Sequence, residues 1–260
     1  MSAATARTEP AARASLAYVL RLGDLSLVLG QRLGEWVGHA PALEEDLGLA
    51  NIALDLIGQA RLLLAYAGEI EGRGRGEDEL AFLREHREYL NPTLVEQPNG
   101  DFGQSIVRQA LIDAFQLELF ERLAGCADAR LGAIAAKAVK ETRYHWRYSS
   151  AWLVRLGDGT EESHGRVQAP LDRLWPLTVE LFAEDEIDRE MTDVGVAPRL
   201  AELRAAWMAR IGPALAEATL RMPTEVPYSW FGKRGQHSEH LGYLLAELQY
   251  LQRTYPGARW

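Results

Sequence analysis

The chain has 260 residues, of which 47% are hydrophobic and 25% charged, a composition typical of a globular protein that can bury a sizeable core. Its formal net charge of −9 argues against a nucleic-acid or anionic-membrane partner, because phosphate recognition needs a basic surface. Cys126 is the only cysteine, so the sequence offers neither an intrachain disulfide nor a thiolate metal cluster, and we predict a cytoplasmic location.

The N-terminal residues 1–14 are rich in Ala and polar side chains and lack the apolar core of a secretory signal. We therefore predict a disordered tail there, followed by a single helical domain over residues 15–260. No apolar run approaches the roughly 20 residues that are needed to span a bilayer.

Nearly every remaining stretch has helical periodicity, with Ala and Leu dominant, which predicts an all-α protein. Four long helices form the predicted core, at about residues 15–37, 42–69, 103–124 and 128–156. A short turn containing Pro41 makes the first two antiparallel neighbours. Smaller helices are predicted near residues 79–90, 170–191, 198–220 and 237–254, with a kink or late start near Pro176.

Three of the long helices carry polar side chains three and four residues apart, a spacing that places them on one helix face. In a di-iron carboxylate bundle, two helices each supply a Glu-x-x-His pair and two others a single Glu. Here the polar face is present but those pairs are absent. The candidate face comprises Asn51, Asp55 and Gln59, then Gln109, Asp113 and Gln116, then Lys137, Glu141, Tyr144, His145 and Tyr148, with Asp24 or Gln31 from the first helix.

Two interpretations of this face stay open at the level of residue types. Asp55, Asp113, Glu141 and His145 could hold iron, or they could be degenerate ligand positions in a structural hydrogen-bond network. Buried carboxylates need compensating charge, and we expect Lys137, with Arg61 or Arg143, to supply it. On that hypothesis, Lys137→Met lowers the free energy of unfolding by roughly 3–5 kcal/mol.

Three other segments have plainer interpretations. Glu161 and His164 form the only literal Glu-x-x-His, but turn residues surround them, so a solvated loop is favoured. The acidic segment 184–190 is expected to be solvated. Before the last helix, His237, Glu239 and His240 indicate helix-start solvation or a partner contact rather than a metal site, with Ser238 as the helix cap.

Several segments resemble the PaaC family of phenylacetyl-CoA 1,2-epoxidase subunits. They include L-A-N-I-A-L-D-L-I-G-Q-A-R (49–61), V-E-Q-P-N-G-D-F (95–102), K-A-V-K-E-T-R-Y-H (137–145) and the aromatic, glycine-rich segment 228–253. The resemblance implies a ferritin-like four-helix bundle core with additional C-terminal helices. It also implies a non-catalytic subunit without metal or cofactor, which stabilises the di-iron catalytic subunit PaaA in a complex with PaaB and the reductase PaaE.

The alternative is a metal-dependent di-iron oxygenase or peroxidase in its own right, using Asp55, Asp113, Glu141 and His145. A purely architectural homo-oligomer without PaaA is a third hypothesis. Metal analysis separates the first two, since about two irons per chain, lost on Glu141→Ala, would contradict the structural role.

Overall fold

The computed structural model describes residues 3–224 and 231–258, and side chains from Ala12 onward within those ranges. This described part contains no strand, and the all-α prediction is confirmed. Its helices are α1 Ala3–Gly34, α2 Leu43–Glu71, α3 Glu77–Phe82, α4 Thr93–Glu96, α5 Phe102–Leu123, α6 Ala129–Gly157, α7 Glu161–Leu174, α8 Val179–Phe182, α9 Glu186–Asp193, α10 Leu200–Glu217, α11 Glu239–Leu248 and α12 Tyr250–Thr254.

Four long helices form the core bundle. Helix α1 packs along α2, α5 packs along α6, and α2 also contacts α6. Helices α2 and α6 run antiparallel, because Tyr66 bonds to Asp128 near one end while Gly48 faces Tyr148 near the other. Their facing surfaces supply fully buried Leu and Ile side chains to one continuous hydrophobic core that extends from Ala14 to Leu245.

The predicted bounds of α2, α5 and α6 lie within about two residues of the observed ones, and the chemistry of the caps explains two of the starts. Asp101 accepts a hydrogen bond from the backbone N–H of Gln104, and Asp128 accepts one from that of Leu131. Both are Asp side chains at the N-cap, where a carboxylate satisfies an otherwise unpaired helix donor.

Helix α1 begins at Ala3, twelve residues before the predicted start at Ser15. Contact with the core begins at Ala14, the first buried residue among the side chains that the structure describes. The disordered tail over residues 1–14 and the single domain over residues 15–260 stay predictions.

A second layer of shorter helices covers the bundle. Helices α7 and α10 pack against α5 and α6, and Trp207 of α10 donates its indole N–H to the carbonyl of Leu111 at 3.0 Å. The single helix predicted over residues 170–191 is wrong in its bounds: α7, a 3₁₀ turn Trp175–Thr178, α8 and α9 occupy this stretch. Pro176 lies in the first turn of the 3₁₀ segment, where its missing N–H costs little.

By length and composition, α2 is the one helix of the described chain that could cross a membrane. Only 44% of its most apolar window is buried in the structure. Core helices of soluble proteins pass the same test, so composition alone is weak evidence for a membrane span.

Candidate functional site

Asp113 lies at the centre of the polar face, on α5, and is completely buried. Its two carboxyl oxygens accept hydrogen bonds of 2.7 Å, one from Gln109 Nε2 and one from Ser149 Oγ on α6. Burial raises the pKa of Asp113 to about 8, against the opposing effect of these two donors. The side chain is therefore mostly a neutral acid at pH 7, with no cation among its hydrogen-bond partners.

Asp55 and His145 form one of the polar contacts between α2 and α6. His145 is buried, and its Nε2 lies 3.0 Å from Asp55 Oδ2, so this nitrogen donates to the partly exposed carboxylate. Burial lowers the pKa of His145, although Asp55 and Glu141 oppose the shift. The ring is thus mainly neutral at pH 7, and its buried Nδ1 has no hydrogen-bond partner among the described residues.

Glu141 has a partner at each carboxylate oxygen, but its hydrogen bond comes from Gln59 rather than from the lysine that the sequence suggested. Gln59 Nε2 donates to Glu141 Oε2 at 3.0 Å, and Lys137 Nζ lies 3.7 Å from Oε1. The Lys137 side chain is 60% exposed, so water screens this pair. Lys137 does contact the candidate face through Glu141, but its exposure argues against compensation of a buried charge, and that role stays a prediction.

The other expected cations are also engaged elsewhere. Arg61 pairs with Glu77 and Arg143 with Glu121, both at exposed positions. Asp24 is buried in a bidentate ion pair with Arg84, which removes it from the candidate face, and Gln31 is only half-buried.

Small hydroxyl residues complete the polar face. Ser26 on α1 lies 3.4 Å from Gln116 Nε2, and Ser149 holds Asp113. Ser149 lies one turn beyond His145, so helical periodicity could have revealed it; Ser26 has no polar neighbour on its helix face to mark it. The face also buries unpartnered polar atoms, on Gln59, Gln109, Gln116, Thr142, His145 and Tyr148.

The donor set of this face does not fit a di-iron centre. Within the described ranges, no group of three or more His, Cys, Asp or Glu side chains is placed to hold a metal ion. Asp113 carries little negative charge at neutral pH, and Asp55 is bonded to the one imidazole of the face. Two irons need several anionic carboxylates and imidazole nitrogens together, which this arrangement does not offer.

The literal Glu-x-x-His motif is helical, contrary to the expectation of a loop. Thr160 caps α7 through the backbone N–H of Ser163, and Glu161 is the first residue of the helix. His164 nevertheless turns away from Glu161, with Nδ1 2.8 Å from the carbonyl of Gly157. Glu161 is exposed, whereas His164 contacts the last residue of α6, so the two side chains have different surroundings.

The acidic segment 184–190 is not simply solvated, which corrects a second expectation. Asp185 and Asp188 are buried, and both accept hydrogen bonds from the guanidinium group of Arg21. The distance from Arg21 Nη1 to Asp185 Oδ1 is 3.0 Å. Lys233 Nζ adds a contact of 2.9 Å to Asp188. Burial acts to raise the pKa of Asp185, but the Arg21 guanidinium outweighs it and holds that pKa well below its usual range. This cluster ties α9 and the C-terminal segment to α1.

His237 is internal rather than solvated at a helix start. Its Nδ1 lies 2.6 Å from Glu96 Oε1 and its Nε2 lies 2.8 Å from the carbonyl of Tyr89. The ring therefore bridges Glu96 and the backbone of Tyr89, and the contact between His237 and Glu96 is fully buried. Ser238 occupies the N-cap position of α11, but its hydroxyl donates to Glu96 instead of capping the helix.

Glu239 is exposed and His240 half-buried, so neither joins His237. Residues 228–230 of the C-terminal segment lie outside the described residues. Glu96, which the sequence interpretation did not single out, lies in a stretch with no periodicity to mark it.

Comparison with known proteins adds three findings. A family model described as phenylacetic acid catabolic protein matches residues 1–260. The 1,2-phenylacetyl-CoA epoxidase of Escherichia coli (strain K12) has a subunit, designated C, that is 55% identical over 244 residues, which cover 94% of this chain and 98% of that relative. A solved structure from Synechococcus, described as having aldehyde deformylating oxidase activity, aligns with a TM-score of 0.57 and 18% identity, over 81% of this chain and 90% of the other. This likeness bears on the fold alone, and the predicted ferritin-like bundle is confirmed.

Proposed function

The chain belongs to the phenylacetic acid catabolic protein family, and from that premise we propose that it is a non-catalytic structural subunit of a 1,2-phenylacetyl-CoA epoxidase. In this role it stabilises the di-iron catalytic subunit PaaA, and PaaB and the reductase PaaE complete a cytoplasmic complex. The 55% identity to the Escherichia coli epoxidase subunit, over nearly the full length of both chains, supports the assignment.

One observation carries the proposal: the acidic side chains of the candidate iron face are satisfied by protein groups. Asp113 is bonded to Gln109 and Ser149, Glu141 to Gln59, and Asp55 to His145. Such hydrogen bonds can stabilise the bundle without a metal, because each of these three carboxyl groups has at least one donor from the protein. The helices are retained as a framework, and the chemistry belongs to a partner chain.

The complex as a whole inserts one oxygen atom of O₂ across a ring double bond of phenylacetyl-CoA, forming the 1,2-epoxide. The second oxygen atom leaves as water, with two electrons from NADPH and the accompanying protons. In the proposed division of labour, this chain binds and orders the catalytic subunit and contributes no group to the reacting atoms.

The experiment that tests the proposal is purification of the chain alone and together with PaaA, from cells grown with abundant iron. We expect background iron in the chain alone, a stable complex with PaaA, and iron in that complex at the level that PaaA accounts for. Epoxidation should require both chains together with PaaB and PaaE. Iron that purifies with this chain alone and supports oxygen insertion would contradict the proposal.

A further inference from the structure

Helix α2 presents an apolar stripe to solvent. Leu43 is 71% exposed, Leu47 57%, Leu54 65% and Ile57 37%. With half-buried Ala50, these residues fall within an arc of about 80° on a helical projection at 100° per residue. We call these five residues the α2 stripe.

The opposite face of the same helix lies in the core. Leu49, Ile52 and Leu56 are almost fully buried, and this side packs against α1. Helix α2 is thus apolar on two faces, only one of which is covered by the described residues of this chain. Single exposed apolar side chains are ordinary, but a continuous stripe of about four turns marks an interaction surface.

The two ends of the α2 stripe carry charges of opposite sign. Glu44, Glu45 and Asp46 lie in the first turn of α2. At the other end, Arg61 is exposed, and Lys137 lies on the neighbouring helix α6. A partner helix with the same layout fits best when it runs antiparallel, because its acidic start then lies over Arg61 and its basic end over Glu44.

The α2 stripe is too small to be a whole interface, and its size fits the apolar centre of a larger one. From Leu43 to Arg61 the helix rises about 27 Å, and a face about 10 Å wide gives on the order of 270 Å². A stable interface buries about 800 Å² on each partner. The remaining area is available on the adjoining surface of α6, where Tyr144 is exposed beside His145.

We propose that the α2 stripe seats the equivalent helix of a second, homologous chain, the iron-bearing subunit of the complex, in antiparallel orientation. This inference rests on the proposed function, which supplies a partner of the same family. Two chains of one fold pair most simply when each offers the same element, as across the two-fold axis of a symmetric dimer. The acid-to-base layout of α2 suits that arrangement.

The test is co-expression of the catalytic subunit with wild-type chain, with the double variant Leu47→Arg and Leu54→Arg, and with the control Val194→Arg. Val194 is 55% exposed and apolar but lies after α9, away from the stripe. The readouts are the mass of the complex in solution and its dissociation constant. We expect the double variant to weaken the complex about 100-fold or more, because two desolvated leucines are replaced by unpaired charges.

The melting temperature of each purified variant serves as the control for folding. We expect it to stay close to that of the wild type, because both replaced side chains point to solvent. The Val194→Arg complex should match the wild-type complex.

The outcomes separate this inference from the proposed function. If wild-type chain and catalytic subunit do not associate, the proposed function fails. If they associate and the double variant binds equally well, the proposed function stands and the stripe is not the interface. If the chain alone forms a dimer that the double variant abolishes, while the mixed complex persists, the stripe binds a second copy and the inference is overturned.

Discussion

The carboxyl group of Asp113 is buried among neutral donors, and this placement decides its protonation. Gln109 and Ser149 bond to it but bring no positive charge, so desolvation dominates and raises its pKa to about 8. In the unfolded chain the pKa is near 4. Between these values the folded state holds a proton that the unfolded state has lost, so stability falls as pH rises through this window.

Asp113→Asn is therefore expected to stabilise the chain above neutral pH. The amide keeps both hydrogen bonds, donating to Ser149 Oγ and accepting from Gln109, and removes a group that costs up to about 1.4 kcal/mol per pH unit within the window. The measurement is the melting temperature of variant and wild type at pH 5 and pH 8. The advantage of the variant should be larger at pH 8; a constant difference would show that Asp113 is ionised in the fold.

Replacing Lys137 and replacing Arg21 should change the free energy of unfolding by different amounts. Lys137 is exposed beside Glu141, whereas Arg21 is buried between Asp185 and Asp188. We expect Lys137→Met to change the free energy of unfolding by less than about 1 kcal/mol, and Arg21→Met to lower it by about 3–5 kcal/mol. Urea denaturation of both variants measures this. A large cost at Lys137 would restore the charge-compensating role that its exposure argues against.

At the scale of elements, the C-terminal segment is held to the bundle by buried polar contacts. Glu96 of α4 accepts hydrogen bonds from Asn91, His237 and the backbone and hydroxyl of Ser238. Gly235 has φ of 74°, a backbone conformation that favours glycine and lets the chain turn before α11. Glu96 is thus a central anchor of the segment, beside the contact between Lys233 and Asp188.

His237→Ala should release this segment. The substitution removes a buried hydrogen-bond partner of Glu96, and leaving a buried polar group without its partner costs about 1–3 kcal/mol. We expect faster tryptic cleavage at Lys233 and Arg234, detected by mass spectrometry during limited proteolysis. His240→Ala, in the first turn of α11 and three residues further along the chain, is the matched control and should leave the cleavage rate unchanged. Equal protection of both variants would show that the apolar contacts of α11 suffice.

The sequence allowed the long helices to be predicted but not the partners of their polar residues. The helical pattern of apolar residues gave α2, α5 and α6 to within about two residues, although α5 is buried on all sides and α2 is apolar on two. Pairing depends on which helices touch and on how far each side chain reaches. Glu141 accepts a hydrogen bond from Gln59, whereas Lys137 is exposed to solvent. Both outcomes depend on how the helices pack, which the spacing of residues in the sequence does not reveal.

Short helices and buried ion pairs were harder to predict from the sequence than the long helices. The stretch after Pro170 breaks into α7, a 3₁₀ turn, α8 and α9, and none of the last three is long enough to show a periodic pattern. Asp185 and Asp188 were expected to be solvated because an acidic run is usually exposed. Their partner Arg21 lies more than 160 positions away in sequence, beyond what local composition reveals.

At the scale of the whole molecule, the described chain is a ferritin-like bundle whose polar face is held by hydrogen bonds between side chains. Its outer surface carries the α2 stripe, an apolar face that nothing in the described part of this chain covers. Both features suit the proposed subunit that supports another: protein groups satisfy the carboxyl groups of the interior, and the exterior offers a surface for a chain of the same family.

The most direct measurement is the iron content and epoxidation rate of the reconstituted complex when this chain carries Asp55→Asn, Asp113→Asn and Glu141→Gln together. Amides keep the hydrogen bonds of the face but cannot supply the negative charge that two irons require. We expect both values to equal those of the wild-type complex. Loss of iron together with loss of epoxidation, in a complex that still assembles, would place the metal in this chain and contradict the account.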